Sequence, residues 1–263
     1  MAPPAGVPSG FIDPLFAGGR ERGPRLSLTC KSCGHEGWYH VGLIAVDREK
    51  VEAAEWRYDD LRASPFGFIR YFRCESCDAA GPWSISGKSQ VKLQMFSLAG
   101  ILSGDRRKAV VMKMALFDGT EISTSAEGVD LLRRRIEADP DNPFLYDRLG
   151  NLFRTGGRVD LALDSFQEAL RLDQDFILSL HSAGALLLAR GNLEEAAKHL
   201  HRFIVSIRDE RNTGRVSTPE LRALTRDVLE NLLAIHSRSR EVIPVFPDEI
   251  PRAQTPGAKV RWF

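Results

Sequence analysis

The sequence has few cysteines, no long hydrophobic run and almost no net charge, and each of these features excludes a class of protein. The four cysteines fall in two closely spaced pairs, which leaves none for a disulfide elsewhere. No apolar run approaches the roughly 20 residues that a membrane-spanning helix needs. The 36 basic and 35 acidic residues give a formal net charge of +1, whereas a dedicated nucleic-acid-binding domain carries a pronounced basic excess. We therefore expect a folded, charge-balanced protein that does not bind membranes and has no dedicated nucleic-acid-binding domain, although the net charge leaves room for a local basic patch.

Both ends of the sequence have a different composition from its middle. Residues 1–24 are rich in proline and glycine, and residues 239–263 contain four prolines, which prevent a regular helix. We expect a flexible arm at 1–24 and an extended tail at 239–263 that docks on its own chain or on another subunit. The first residues have neither a basic region nor an apolar core typical of a signal peptide, so we expect a reducing, cytoplasmic location.

Residues 25–124 have the short apolar and aromatic runs that are typical of β-strands. Leu26 and Leu28 alternate with polar residues, and Asp118-Gly119 favours a tight hairpin turn. The other strand-like runs lie at 38–46, 66–72, 83–85, 110–116 and 120–122. The charged stretch 47–62 predicts a short helix or an irregular excursion. The sequence thus predicts a small β-rich domain.

Two pairs of cysteines in this region have the spacing of metal-binding knuckles. Cys30 and Cys33 form one pair, and Cys74 and Cys77 form the other. Four thiolates complete the tetrahedral site that structural zinc prefers and leave no open catalytic position. We therefore predict one structural zinc ion in a zinc-ribbon-like domain. Iron would use the same four ligands, and a dithiol redox or metal-sensing role is the alternative.

Other residues resemble known chemical motifs but do not match them. His35 and His40 lie near the first pair as reserve ligands, yet their separation in the sequence does not fit a helical zinc motif. Residues 81–89 resemble a phosphate-binding loop, but the spacing of the glycines is one residue too long, and no helix start is expected there. We therefore expect no enzymatic activity.

From about residue 125 the apolar residues recur with helical spacing, and residues 143–176 recur at 177–210 with a period of 34. The matching positions hold apolar residues or glycine: Leu149 with Ala183, Gly150 with Gly184, Phe153 with Leu187, Gly157 with Gly191, Ala162 with Ala196, Phe166 with Leu200, and Ala169 with Phe203. This pattern resembles the tetratricopeptide repeat (TPR) family. The resemblance implies helix–turn–helix units that stack on one another and bind a protein segment in a groove.

The resemblance also implies which residues line that groove. They are Phe144, Asp147, Asn151, Arg154, Leu178, His181, Ala185 and Leu188. The apolar members in the second repeat favour an apolar or amphipathic partner segment. The alternative is that the C-terminal helix or the tail of the chain fills this short groove.

The repeats lie between two further predicted helices. Residues 125–138 resemble the second half of a degenerate first repeat. Residues 217–220 have the pattern of a helix start, and the helix they open extends to about residue 237 and caps the repeats. The whole sequence thus predicts an α+β, multidomain protein with TPR-like repeats at 125–238. The function expected is a non-enzymatic adaptor, and the alternative is nucleic-acid binding through the ribbon by Trp38, Tyr71, Trp83 and residues 106–108.

Overall fold

A computed structural model describes residues 23–53, 57–106, 108–209, 212 and 216–239. The arm and the tail expected from the sequence thus lie almost wholly outside the described residues. Within them the fold is α+β, with a small β-rich half followed by a half made of helical repeats. In the part that is described, no helix is both long and apolar enough to cross a bilayer.

The first sheet contains three antiparallel strands in the order β2-β1-β5. Its strands are β1 (Arg25–Cys30), β2 (Glu36–His40) and β5 (Trp83–Ile85). Leu26 and Leu28 are completely buried in this sheet, which confirms the inward face predicted from their alternation. Trp83 and Ile85 on β5 extend the same core.

The second sheet has the strand order β4-β3-β6. Its strands are β3 (Ile44–Val46), β4 (Phe66–Phe68) and β6 (Ala109–Val111). β3 pairs with β4 in an antiparallel register and with β6 in a parallel register. Between β3 and β4, the charged stretch forms helix α1 (Arg48–Ala53) and a short 3-10 turn, as the sequence predicts.

A tight hairpin lies between this sheet and the helical half. Leu116 N–H donates to the Thr120 carbonyl at 2.9 Å, and Ile122 N–H donates to the Met114 carbonyl at 3.1 Å. The turn lies at Asp118-Gly119, where the dipeptide predicted it.

A 16-residue helix that the sequence analysis did not predict, α2 (Gly87–Leu102), lies within the β-rich half. It begins inside the stretch 81–89, so the expectation that no helix starts there was wrong. The strand before it, β5, pairs antiparallel with β1. α2 packs on β1 of the first sheet and on β6 of the second, and its buried residues are Ser89, Leu93, Ser97 and Gly100.

The helical half consists of six helices in the described residues. They are α3 (Ser125–Ala138), α4 (Pro143–Thr155), α5 (Val159–Leu172), α6 (Ile177–Ala189), α7 (Leu193–Ser206) and α8 (Thr218–Ser239). α4 and α5 form one packed pair, and α6 and α7 form the next pair, which begins one full repeat later in the sequence. This offset confirms the repeats that the sequence predicts. α3 packs on α4, and α8 packs on α6 and α7.

The β-rich half is attached to the first helices of the repeats. The Arg73 guanidinium donates to both carboxylate oxygens of Asp130 on α3, at 2.7 and 3.1 Å. Tyr71 N–H donates to the Gly156 carbonyl at 2.9 Å, and the Tyr71 ring packs against Phe153. The segment that leads from β4 to the second cysteine pair therefore lies directly against the helices.

Candidate metal centre and repeat face

The four cysteines meet at one point although the two pairs lie far apart in the sequence. Their sulfur atoms all lie within 4.8 Å of one another. The Cys30 and Cys77 sulfurs are 3.7 Å apart, and the Cys33 and Cys74 sulfurs are 3.6 Å apart. A tetrahedral ion with metal–sulfur bonds of about 2.3 Å requires sulfur separations of about 3.8 Å. The four thiols thus fit the coordination sphere of one metal ion.

The two pairs have the same backbone conformation. Cys30 N–H donates to the His35 carbonyl, and the Cys30 carbonyl accepts Gly34 N–H, at 2.9 and 2.8 Å. Cys74 makes the equivalent bonds with Ala79 and Asp78, both at 2.9 Å. Gly34 and Asp78 both have a positive φ, +77° and +57°, which glycine adopts easily and aspartate tolerates. This shared turn points both sulfurs of each pair to the same side.

The ionisation of the thiols also favours a cation. Burial raises the pKa of the Cys74 thiol, but the backbone N–H groups of Cys77 and Ser76 outweigh it and lower the pKa to about 6. For Cys77, the Ala79 N–H lowers the pKa, but the hydrogen bond with Cys33 and burial raise it to about 12. Without a cation, the thiolate of one cysteine thus keeps the thiol of a neighbouring cysteine protonated. A divalent ion removes this conflict because it favours the thiolate form of every ligand.

The reserve histidines do not join the cluster. In the described part of the chain, the group with metal-ligand geometry consists of the four cysteines alone. Cys30 ends a strand rather than opening a helix, so the first pair lacks the setting of a thioredoxin-like dithiol. Cys30 and Cys74 are buried, whereas Cys33 and Cys77 are exposed on the outer side of the site.

In the first repeat, the residues predicted to line a groove form a buried polar network. The Asp147 carboxylate is fully buried and accepts hydrogen bonds from Ser179 at 2.9 Å and Asn151 at 3.0 Å. It also pairs with Arg148 at 2.8 Å. The network therefore joins α4 to α6 rather than presenting a free carboxylate.

Arg154 and Phe144 complete this face of α4. Arg154 is 9% exposed, donates to Asn151 at 2.9 Å, and has its pKa lowered by burial. Phe144 is half-buried, with the Arg148 guanidinium 4.8 Å from its ring centre and Phe117 packed against its edge. Asn151 is also half-buried, so α4 leaves little of the predicted lining accessible.

In the second repeat, the predicted groove is covered. Leu178, His181, Ala185 and Leu188 are each at most 9% exposed. The leucines belong to one apolar cluster with α8, and His181 contacts Asp227 on that helix. The C-terminal helix therefore fills the groove in this structure, because repeat units bury their apolar faces on the next helix. The assignment of these residues to a partner site remains a prediction.

Apolar residues are instead exposed on the outer face of α8. Leu229 is 49% exposed and Leu233 is 68% exposed, one helical turn apart. The sequence analysis did not assign them a role. The row of α8 that faces the core consists of Leu224, Val228, Leu232 and Ile235. Leu229 and Leu233 lie outside this row, and that position in the sequence is the signal that identifies them.

The structure weakens the nucleic-acid alternative. Trp83 is 1% exposed and belongs to the core, and Tyr71 packs between Phe153 and Arg158. Of the three aromatic residues considered, Trp38 alone has a largely exposed ring, at 50%. These three side chains therefore do not form a row on which bases could stack.

No family model and no curated protein sequence matches this chain. Among solved structures, the type III secretion chaperone SycD of Yersinia enterocolitica with a YopD peptide has 19% identity and a TM-score of 0.38. The match covers 59% of this chain and 98% of that one. The first TPR of Spaghetti (RPAP3) bound to an HSP90 peptide has 17% identity and a TM-score of 0.36, covering 59% and 97%.

A type III secretion complex from Aeromonas hydrophila is similar to the same extent, with 16% identity and a TM-score of 0.38 over 60% of this chain and 87% of that one. Likeness at these TM-scores adds nothing to the functional conclusions. The two helix pairs of this chain, which recur at the period seen in the sequence, establish the architecture by themselves. The protein is a four-cysteine β-rich domain followed by TPR-like helical repeats.

Proposed function

We propose that the protein is a non-enzymatic adaptor that binds an apolar or amphipathic segment of a protein partner through the outer face of α8. The observation that carries the proposal is the exposed pair Leu229 and Leu233 at the end of the repeats. Repeat arrays that end in solution normally carry a polar outer face on their last unit. An apolar pair at this position fits a further helix or strand packed on it.

The β-rich half supports this role through a structural metal ion. Cys30, Cys33, Cys74 and Cys77 hold one zinc ion in this proposal, with iron as the alternative for the same thiolate set. Four protein ligands leave no coordination position for substrate, which favours a structural ion over a catalytic one. A reducing, cytoplasmic setting would keep the thiols available for the metal.

The concave surfaces of the protein favour binding rather than catalysis. A cavity of about 440 Å³ lies between the second sheet and α3. Its charged side chains neutralise one another: Lys113 pairs with Glu121 at 2.7 Å, and Arg62 pairs with Glu127 at 2.6 Å. The hydrogen bond between Lys113 and Glu121 raises the pKa of the lysine and lowers the pKa of the glutamate, so both groups stay charged near neutral pH rather than exchanging protons as acid–base catalysis needs.

Affinity purification from the native cell tests the adaptor role. The wild-type protein is compared with the double variant L229D/L233D, and Ala223→Asp serves as the control because it adds a carboxylate to another exposed position of α8. We expect a defined set of proteins to co-elute with the wild type and the control and to be lost with the double variant. Equal recovery with all three proteins, or no co-eluting protein at all, would contradict the proposal.

A further inference from the structure

Helix α2 exposes a continuous apolar row on the side that faces away from the sheet. Val91 is 64% exposed, Met95 62%, Leu98 52% and Leu102 77%. Their spacing of four, three and four positions keeps them on one side of the helix. We call these four residues the α2 row. Solvent-exposed apolar residues at every turn of a helix indicate a surface that another segment covers.

The charged side chains of α2 itself are both basic. Lys88 and Lys92 flank its first turn, and α2 contains no acidic residue. The Lys92 ammonium lies 6.0 Å from the ring centre of Trp38 and donates to the Arg25 carbonyl at 3.0 Å. The surface is therefore apolar and basic, and it suits an apolar segment that carries an acidic residue.

The first residues of β1 run alongside α2. Ser27 N–H donates to the Ser89 hydroxyl at 2.7 Å, whereas Arg25, two positions earlier, contacts Lys92. Going from Ser27 back to Arg25, the chain thus runs from the level of Ser89 to that of Lys92, in the direction of Met95. Residues 1–22 are joined to the described chain at Gly23, two positions beyond Arg25 in this direction, where the Pro24 carbonyl accepts Val41 N–H at 3.3 Å.

We propose that the apolar segment at residues 11–16 of this chain docks on the α2 row. This segment, Phe-Ile-Asp-Pro-Leu-Phe, carries four apolar side chains and one carboxylate, Asp13. The stretch of chain from Phe16 to Gly23, the first described residue, can span up to about 24 Å. The row itself, from Val91 to Leu102, is about 17 Å long. The connecting chain is thus long enough to lay the segment along the whole row.

A second copy of the chain fits the row less well. Two α2 helices packed in parallel would bring Lys88 and Lys92 of both copies together without a carboxylate from either helix. A stable protein–protein interface also uses about 20–30 residues on each side, far more than the four of the row. The segment at 11–16 supplies both the small apolar area and the opposite charge. This inference is independent of the adaptor function proposed above.

Methyl NMR of the full chain tests this docking. The sequence has four methionines, and labelling their methyl groups with carbon-13 makes Met95 a probe of the row, with Met112 and Met114 on the other sheet as internal references. We expect the Met95 signal to shift when residues 2–19 are removed, because the rings of Phe11 and Phe16 no longer lie beside it. The variant F11L/F16L keeps the apolar contact but removes the rings, and it should reproduce most of that shift while the two reference signals stay in place.

The same spectra identify any other occupant. A Met95 signal that does not change on removal of residues 2–19 overturns the proposal. A change that depends on protein concentration points to a second copy and also overturns it. A Met95 signal that does not change on the deletion but broadens when phosphatidylglycerol vesicles are added would make the row a membrane surface. This result also overturns the proposal.

Discussion

The His181 imidazole lies 2.5 Å from the Asp227 carboxylate, measured from Nε2 to Oδ2, and this contact joins α6 to α8. His181 is 1% exposed, whereas the Asp227 side chain is 42% exposed. Asn231 also donates to Asp227, at 3.2 Å. The residue predicted to face a partner is thus held by the helix that caps the repeats.

Replacing Asp227 by alanine should lower the free energy of unfolding of the protein. The change leaves His181 buried without its acceptor, and an unsatisfied buried polar group costs about 1–3 kcal/mol. Chemical denaturation followed by far-UV circular dichroism measures the difference. Glu230→Ala, an exposed position on the same helix, is the control and should have little effect. Equal midpoints for both variants would contradict a stabilising role for the contact.

Enlarging Gly150 should also destabilise the helical half. A Cβ atom at this position would lie 2.5 Å from the Phe166 ring, too close for α4 and α5 to keep their packing. We expect Gly150→Leu to cost about 1–3 kcal/mol through overpacking, seen as a lower thermal midpoint. Gly87→Ala is the control, because its Cβ meets no atom within 4 Å. A Gly150→Leu variant as stable as this control would show that the two helices separate without cost.

The ion pair between Arg73 and Asp130 should couple the two halves energetically. The two side chains are 19% and 28% exposed and make a bidentate contact, so we expect a coupling energy on the order of 1 kcal/mol. A double-mutant cycle with alanine at both positions measures it. The exposed pair Arg48 and Glu52 on α1 is the control and should show little coupling. Equal coupling energies in the two cycles would contradict the expectation that the Arg73–Asp130 pair couples the two halves.

Removing half of the metal ligands should unfold the β-rich half while the repeats stay helical. In C74S/C77S the buried Trp83 should become exposed and the fluorescence should shift to longer wavelength, because metal binding can contribute on the order of 10 kcal/mol to folding. The helical circular dichroism signal should largely persist. His35→Ala is the control and should retain both signals. A native fluorescence spectrum in the double serine variant would contradict a structural role for the metal.

The sequence was most informative where neighbouring residues determine the structure. The spacing within each cysteine pair is local, and two complete pairs imply a common site even across the long stretch of chain between them. The helical period likewise located α3, α8 and both repeats. In contrast, α2 was missed because its pattern is inverted: Ser89, Ser97 and Gly100 face the sheet, whereas the apolar row faces outward. Periodicity marks a core-facing helix only when the apolar side faces the core.

Long-range pairings could not be predicted from the sequence. The parallel pairing of β3 with β6 joins strands that are distant in the chain, and nothing in either strand specifies the other. The burial of Leu178 and Leu188 likewise depends on where α8 lies, and a single repeat does not determine this. The family resemblance identified which side of α6 these residues occupy, but left open whether a partner, the C-terminal helix or the tail covers that side.

Native mass spectrometry of anaerobically purified protein tests the metal site most directly. One zinc ion per chain is expected, lost on acidification because protons compete with the metal for the four thiolates. The C74S/C77S variant should bind no zinc under the same conditions. A wild-type chain that carries neither zinc nor iron and has four free thiols would contradict the metal centre on which the fold of residues 25–124 is proposed to depend.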